Sequence, residues 1–159
     1  MTSLATERLT LTPPTLADAA FVLELLNDPG WVRNIGDRGV STVDQAGAYI
    51  ADRFSATAWF VIRDAAGTPL GMCGLVNRPG LDHLDIGYAL LERYAGKGYA
   101  TEAARAVLAH ARVLGHTTVL GITAPDNTAS QRVLEKIGLR FVQMIDIPGW
   151  EGPSALYSV

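Results

Sequence analysis

DHLDIGYALLERYAGKGYATEAA, residues 82–104, decides how this chain folds. Its first half reads as a strand, and Gly96-Lys97-Gly98-Tyr99-Ala100 then leads through a tight turn straight into a helix. At such a junction the first-turn N–H groups have no backbone partner, and glycines let a charged group come close to them. The pattern suits a phosphate. A ligand-free glycine turn has the same sequence, so the junction alone leaves both readings open.

The helix is defined by its apolar spacing. Ala100, Ala103, Ala104, Val107, Leu108, Ala111 and Leu114 share one face at the i, i+3, i+4, i+7 period, Glu102, Arg105 and Arg112 lie off it, and Gly115 supplies the stop. The alanines let this face lie close to a sheet, which holds the helix N-terminus firmly against the preceding strand. The junction is not a Walker loop, because Lys97 stands between the glycines and no G-x-x-x-x-G-K-[ST] spacing exists. It is a poor dinucleotide fingerprint too, lacking the third glycine and lying past mid-chain.

Composition sets the outer bounds. A chain of 159 residues, 48% hydrophobic and 18% charged, suits one compact domain spanning 1–159. The net charge of -3 argues against a nucleic-acid partner held by a broad basic surface, so any anion site must be local. No run of 18 apolar residues is present, and MTSLATERLTLTPP lacks the basic start and apolar centre of a signal peptide; no membrane partner and a cytoplasmic location are expected. The single Cys73 excludes an internal disulfide, and His83, His110 and His116 show no ligand spacing, so no metal is expected.

In chain order, residues 7–11 alternate as a strand ended by Pro13-Pro14, and Thr15 or Asp18 caps a helix through Leu25 and Leu26. Residues 31–40 read as a loop, either a cover over a site or a plain connection. A second helix covers 43–54, and strands follow at 59–63, 69–76 and 83–90. After the organising helix come a buried strand at 117–123, a helix at 128–137 closed by Gly138, and strands at 139–147 and 155–159. Hairpins supply an antiparallel half and two strand-helix-strand crossovers a parallel portion. The fold class expected is α/β, with a mixed sheet of six to seven strands flanked by about four helices.

Three stretches then carry a likeness to a known family: Thr6-Glu7-Arg8-Leu9, Ile86-Gly87-Tyr88 through Gly96-Lys97-Gly98-Tyr99-Ala100-Thr101-Glu102-Ala103, and Asn127-x-x-Ser130 through Glu135-Lys136-Ile137-Gly138. In this order they resemble the GNAT superfamily of acetyl-CoA-dependent N-acetyltransferases, and within it the Rim-type branch of ribosomal-protein N-terminal acetyltransferases. The resemblance implies the GNAT fold and acetyl-CoA as co-substrate. The family's [Q/R]-x-x-G-x-[G/A] motif fits in two registers, Arg93-x-x-Gly96-x-Gly98 and Ala95-x-x-Gly98-x-Ala100, and the second matches the branch while departing at Ala95. By resemblance, Gly96, Lys97, Gly98, Tyr99, Ala100 and Thr101 hold the pyrophosphate. The backbone of Tyr88, Ala89 and Leu90 pairs with the pantetheine arm, and Asn127 binds it from the other side.

The implied chemistry is direct attack of a neutral amine on a thioester, with a base to take the proton and a donor for the leaving thiolate. Asp85, or less favourably His83, is the base, standing where relatives often carry a carboxylate. The tyrosine many relatives use as acid is replaced by Leu134, and the branch offers Ser130 instead. Arg93, Lys97, Arg132 and Lys136 are candidates for further phosphate contacts, and Trp31, Tyr49, Trp59 and Trp150 for an acceptor pocket. The acceptor expected is a protein N-terminus or a small-molecule amine, and the size leaves room for a homodimer. A non-catalytic acyl-CoA-binding sensor is the rival reading.

Overall fold

The structure, a computed structural model, describes residues 2–54 and 58–159. One eight-stranded sheet in the order β1-β2-β3-β4-β5-β6-β8-β7 forms its middle layer. The strands are β1 (Leu4–Ala5), β2 (Thr10–Thr12), β3 (Trp59–Arg63), β4 (Pro69–Val76), β5 (Asp85–Leu90), β6 (Leu120–Thr123), β7 (Arg140–Ile145) and β8 (Ser154–Ser158). The helices are α1 (Ala19–Leu26), α2 (Pro29–Asn34), α3 (Val43–Tyr49), α4 (Tyr99–Val113) and α5 (Thr128–Lys136). The mixed α/β architecture is the one expected.

Several details differ from expectation, each for a local reason. Of the strand foreseen at 7–11 only Thr10 and Leu11 are extended, in β2, and the short β1 precedes it, because Thr6 turns the chain between them by accepting and donating hydrogen bonds with Leu9. Residues 31–40 are not all loop: Asp28 caps Gly30 N–H and Pro29 occupies the first helical position, so α2 starts there and runs to Asn34. The second predicted helix is α3 prolonged by one wider π-type turn over Ile50–Phe54. Leu114 drops out of the α4 stripe, since the helix has ended and its side chain is 55% exposed.

The second crossover also differs. β5 and β6 are parallel neighbours joined through α4, but the chain leaving β6 through α5 reaches β7 at the sheet edge, and β8 fills the place between them.

Two apolar clusters sandwich the sheet. On one face, Ala103, Ala104, Val107, Leu108 and Ala111 of α4 and Leu134 of α5 pack on Phe60, Leu75 and Ile86. On the other, Phe21, Val22, Leu25, Trp31 and Ala46 from the first three helices pack on Val61, Met72 and Leu91. Each fully buried leucine or isoleucine contributes roughly 1.5–3 kcal/mol. The alternation along β5 therefore sends Ile86, Tyr88 and Leu90 towards α4, and Asp85, Gly87 and Ala89 towards the first three helices.

Candidate active site

The turn between β5 and α4 has the geometry that its sequence demands. Gly96 and Gly98 take φ of +79° and +81°, where a side chain is strained, and Gly98 is the N-cap of α4 with no side chain capping the helix. The first-turn N–H groups are left facing an outside partner, with the positive end of a 15-residue helix behind them. That is a cradle for an anion. Ala100 and Thr101 lie in this turn and Lys97 is exposed between the glycines.

Beside the cradle the sheet opens. β5 and β6 share one register pair, Asp85 with Leu120, reinforced by Leu120 N–H donating to the Leu84 carbonyl at 2.9 Å. Beyond it the two strands part, so Tyr88, Ala89 and Leu90 pair with Cys73, Met72 and Gly71 of β4 and have no ladder partner on the β6 side. An extended chain entering here would find strand-like backbone on its β5 side.

Across this opening the Tyr88 hydroxyl donates to the Ser130 carbonyl at 2.9 Å and lies 2.8 Å from Ser130 Oγ. Burial pushes the Tyr88 phenol above its ordinary value, which keeps it protonated. Ser130 is placed by Asn127, whose Oδ1 accepts from Ser130 N–H at 3.2 Å as the N-cap of α5. The expected residues Tyr88, Asn127 and Ser130 are thus brought together at one edge of the opening.

Asp85 stands at the closed end. Its side chain is 2% exposed, its Oδ2 accepts from Arg78 Nε at 3.0 Å, and its Oδ1 is buried with no hydrogen-bond partner among the described residues. Burial raises the carboxyl pKa and the Arg78 guanidinium pulls it back only in part. A carboxylate oxygen that nothing solvates is poised to take a proton. Arg78 in turn stacks on the Trp150 ring, 4.9 Å from its centroid. Sequence reasoning offered Asp85 as a base candidate but gave no sign of this support, since no local pattern ties a loop arginine to a tryptophan seventy-odd residues later.

The space found on the Asp85 face of the sheet does not have Asp85 itself in its lining. A cavity of about 640 Å³ is lined by Leu120, the register partner of Asp85, together with Asp82, His83, Gln143 and Asp146. His83 is therefore an exposed wall residue of this cavity and not a partner of Asp85. The Trp59 ring stands over Gly87, where an added Cβ would come within 3.1 Å of it. A smaller cavity of about 430 Å³ joins Arg33 and Asn34 of α2 to Asn127.

Other expected contacts go elsewhere. Arg93 is held by Glu24 at 2.5 Å and lies over the Tyr94 ring. Trp31 is core, 5% exposed, although its indole N–H lacks a partner among the described residues. Leu134 is 1% exposed and packed over Gly121. Cys73 is fully buried, which raises its thiol pKa and makes it inert.

The role of the first motif was not legible as chemistry. The Glu102 carboxylate of α4 accepts from the Thr6 hydroxyl, from Arg8 N–H at 2.9 Å and from Arg8 Nε at 2.7 Å. Arg8 Nη1 also donates to the Lys97 carbonyl at 3.0 Å, and its guanidinium lies 4.5 Å from the Tyr99 ring centroid. Residues 94 apart in sequence meet here, a spacing no periodicity reveals.

Known acetyltransferases resemble this chain over most of its length. The family model for the acetyltransferase (GNAT) domain matches residues 8–140. The Bacillus subtilis protein YkkB is 36% identical over 109 residues, 65% of this chain, and the match spans 61% of YkkB's own length. The Bacillus subtilis N-acetyltransferase YnaD is 28% identical over 145 residues, 86% of this chain and 82% of YnaD. A GNAT-family acetyltransferase structure from Bordetella pertussis superposes with a TM-score of 0.78 at 29% identity, covering 99% of each chain.

Proposed function

This chain belongs to the GNAT acetyltransferase family, and on that footing we propose that it transfers acetyl from acetyl-CoA to a primary amine, either a protein N-terminus or a small molecule. The observation that carries the reading is Asp85: a buried carboxylate with an unpartnered oxygen, set beside the opening between β5 and β6. The residues fit the co-substrate. A cradle of uncapped N–H groups suits its diphosphate, and a sheet opening one strand wide suits its extended arm.

Acetyl-CoA supplies an activated acyl group, and the rest falls to the protein. Gly96, Lys97, Gly98, Tyr99, Ala100 and Thr101 form the cradle that holds the diphosphate. The backbone of Tyr88, Ala89 and Leu90 orients the arm, with Asn127 on its other side. Asp85 accepts the proton of the attacking amine, its raised pKa making it a stronger base than an exposed carboxylate. Ser130, tied to Tyr88, offers a hydroxyl to the departing sulfur. An α-amine lies only about one pH unit from its neutral form at pH 7, against about three for a lysine, which favours a protein N-terminus or another weakly basic amine.

Free thiol release from acetyl-CoA, measured against peptides with different N-termini, amino acids, polyamines and aminoglycosides, tests the proposal. Turnover with one amine class is the expected result. Tight acetyl-CoA binding with no acceptor would replace it by the sensor reading, and no binding at all would remove both. The Rim-type branch, a cytoplasmic location and a homodimer are parts of the same proposal, the last checked by light scattering.

A further inference from the structure

We propose that Thr6, Arg8 and Glu102 form a preset clamp on the anion cradle, which makes Arg8 and Glu102 positioning residues for the diphosphate site. The inference rests on the reading of the cradle as a coenzyme A site. The loop between β5 and α4 is anchored at its start, where Leu91 is buried and Glu92 N–H donates to the Asp28 carboxylate, but its last four residues, Ala95, Gly96, Lys97 and Gly98, are all exposed, and a Cβ at Gly96 would meet nothing within 4 Å. The fixed point of this last stretch lies on the N-terminal segment. Arg8 Nη1 grips the Lys97 carbonyl at 3.0 Å, and that carbonyl belongs to the same planar peptide unit as the Gly98 N–H. Holding one pole of the unit aims the other.

The charge balance points the same way. A carboxylate in the first turn of α4 suits the helix dipole but repels an incoming phosphate. Glu102 stands there all the same, and its lone pairs are turned to the N-terminal segment, where the Thr6 hydroxyl, Arg8 N–H and Arg8 Nε take them up. The carboxylate thereby serves to seat Arg8, which is also stacked on Tyr99, the first residue of α4. The segment before β2 is in this sense part of the ligand site.

Glu102→Ala gives a test whose sign discriminates. By charge alone, removing a negative group beside a phosphate site tightens coenzyme A; loss of the clamp weakens it, by about tenfold for one charge-assisted contact set. Calorimetric titration with coenzyme A should show that weakening. Hydrogen exchange of the unliganded protein should show faster exchange at residues 98–102. Arg8→Lys keeps the charge but not the fork that reaches Glu102 and Lys97 together, and should weaken binding like Arg8→Ala. The double variant should be no weaker than either single one. Equal or tighter binding by Glu102→Ala, or wild-type affinity in Arg8→Lys, would overturn the clamp while leaving the cradle standing. If Glu102→Ala loses its near-UV circular dichroism, Arg8→Lys carries the test. Failure of the wild type to bind coenzyme A would instead remove the site reading, and the clamp with it.

Discussion

At the scale of single residues the proposed chemistry turns on Asp85. Its carboxyl holds its proton to higher pH than in the unfolded chain, because burial outweighs the pull of Arg78. The native state therefore binds the extra proton between the two pKa values. The stability that Asp85 contributes is fully present below its unfolded pKa and is lost as pH rises through the folded one. Asp85→Asn should flatten that decline, measured as urea midpoints across pH. The same ionisation should appear in kcat/KM, rising with pH to a midpoint above the usual carboxylate range. The variant should lose about 10²- to 10⁴-fold in turnover with acetyl-CoA affinity nearly unchanged; full activity at every pH would remove Asp85 from the mechanism. In the sequence Asp85 was a base candidate, by its strand ahead of the glycine turn and by resemblance, and the structure adds its burial. Its partners Arg78 and Trp150 were not legible there, since loop side chains that meet by tertiary packing leave no periodic trace.

At the scale of elements, the turn into α4 and the face of α5 make opposite demands. Gly98 lies at φ +81° with Arg8 Nη2 3.3 Å from where a Cβ would be, so Gly98→Glu strains the turn and places a carboxylate against the cradle. Coenzyme A binding by calorimetry should be abolished, and an unchanged affinity would refute the cradle's placement. Leu134 shows the reverse case. Its Cδ2 would lie 2.5 Å from a Cβ on Gly121, so the space above β6 is already filled. Leu134→Tyr should overpack that contact, costing about 1–3 kcal/mol and lowering Tm without raising turnover. Helices and central strands were readable because 3.6- and 2-residue periods mark them: the stripe from Ala103 to Ala111 is buried as expected. α2 was missed because six residues do not complete two turns, too few for an i, i+3, i+4, i+7 stripe, and its start lies in a cap, Asp28 to Gly30, that looks like a loop in sequence. The position of β8 between β6 and β7 was hidden for another reason, since strand order is set by packing and not by any one strand's composition.

For the whole molecule, the ladder between β5 and β6 joins two blocks of sheet, β1 to β5 and β6 with β8 and β7, through one register pair. A ligand bridging the cradle, β5 and Asn127 should fasten the blocks together. At about one hundred times its Kd it should add about 2.7 kcal/mol, a rise in Tm of roughly 5–10 °C for a domain of this size, read by thermal melts with and without coenzyme A. No shift would argue that nothing spans the opening. The parted strands have one more consequence. Strand borders are normally found at the rim of a sheet, where bulges, charges or covering loops keep other chains from adding to them. Here two borders face each other in the interior, screened from strangers by one hydroxyl bridge, Tyr88 to Ser130. The coenzyme arm proposed to lie here would act also as a protective insert. A resting population stripped of it exposes unsatisfied strand backbone, and self-association on storage should be slowest when coenzyme A is present.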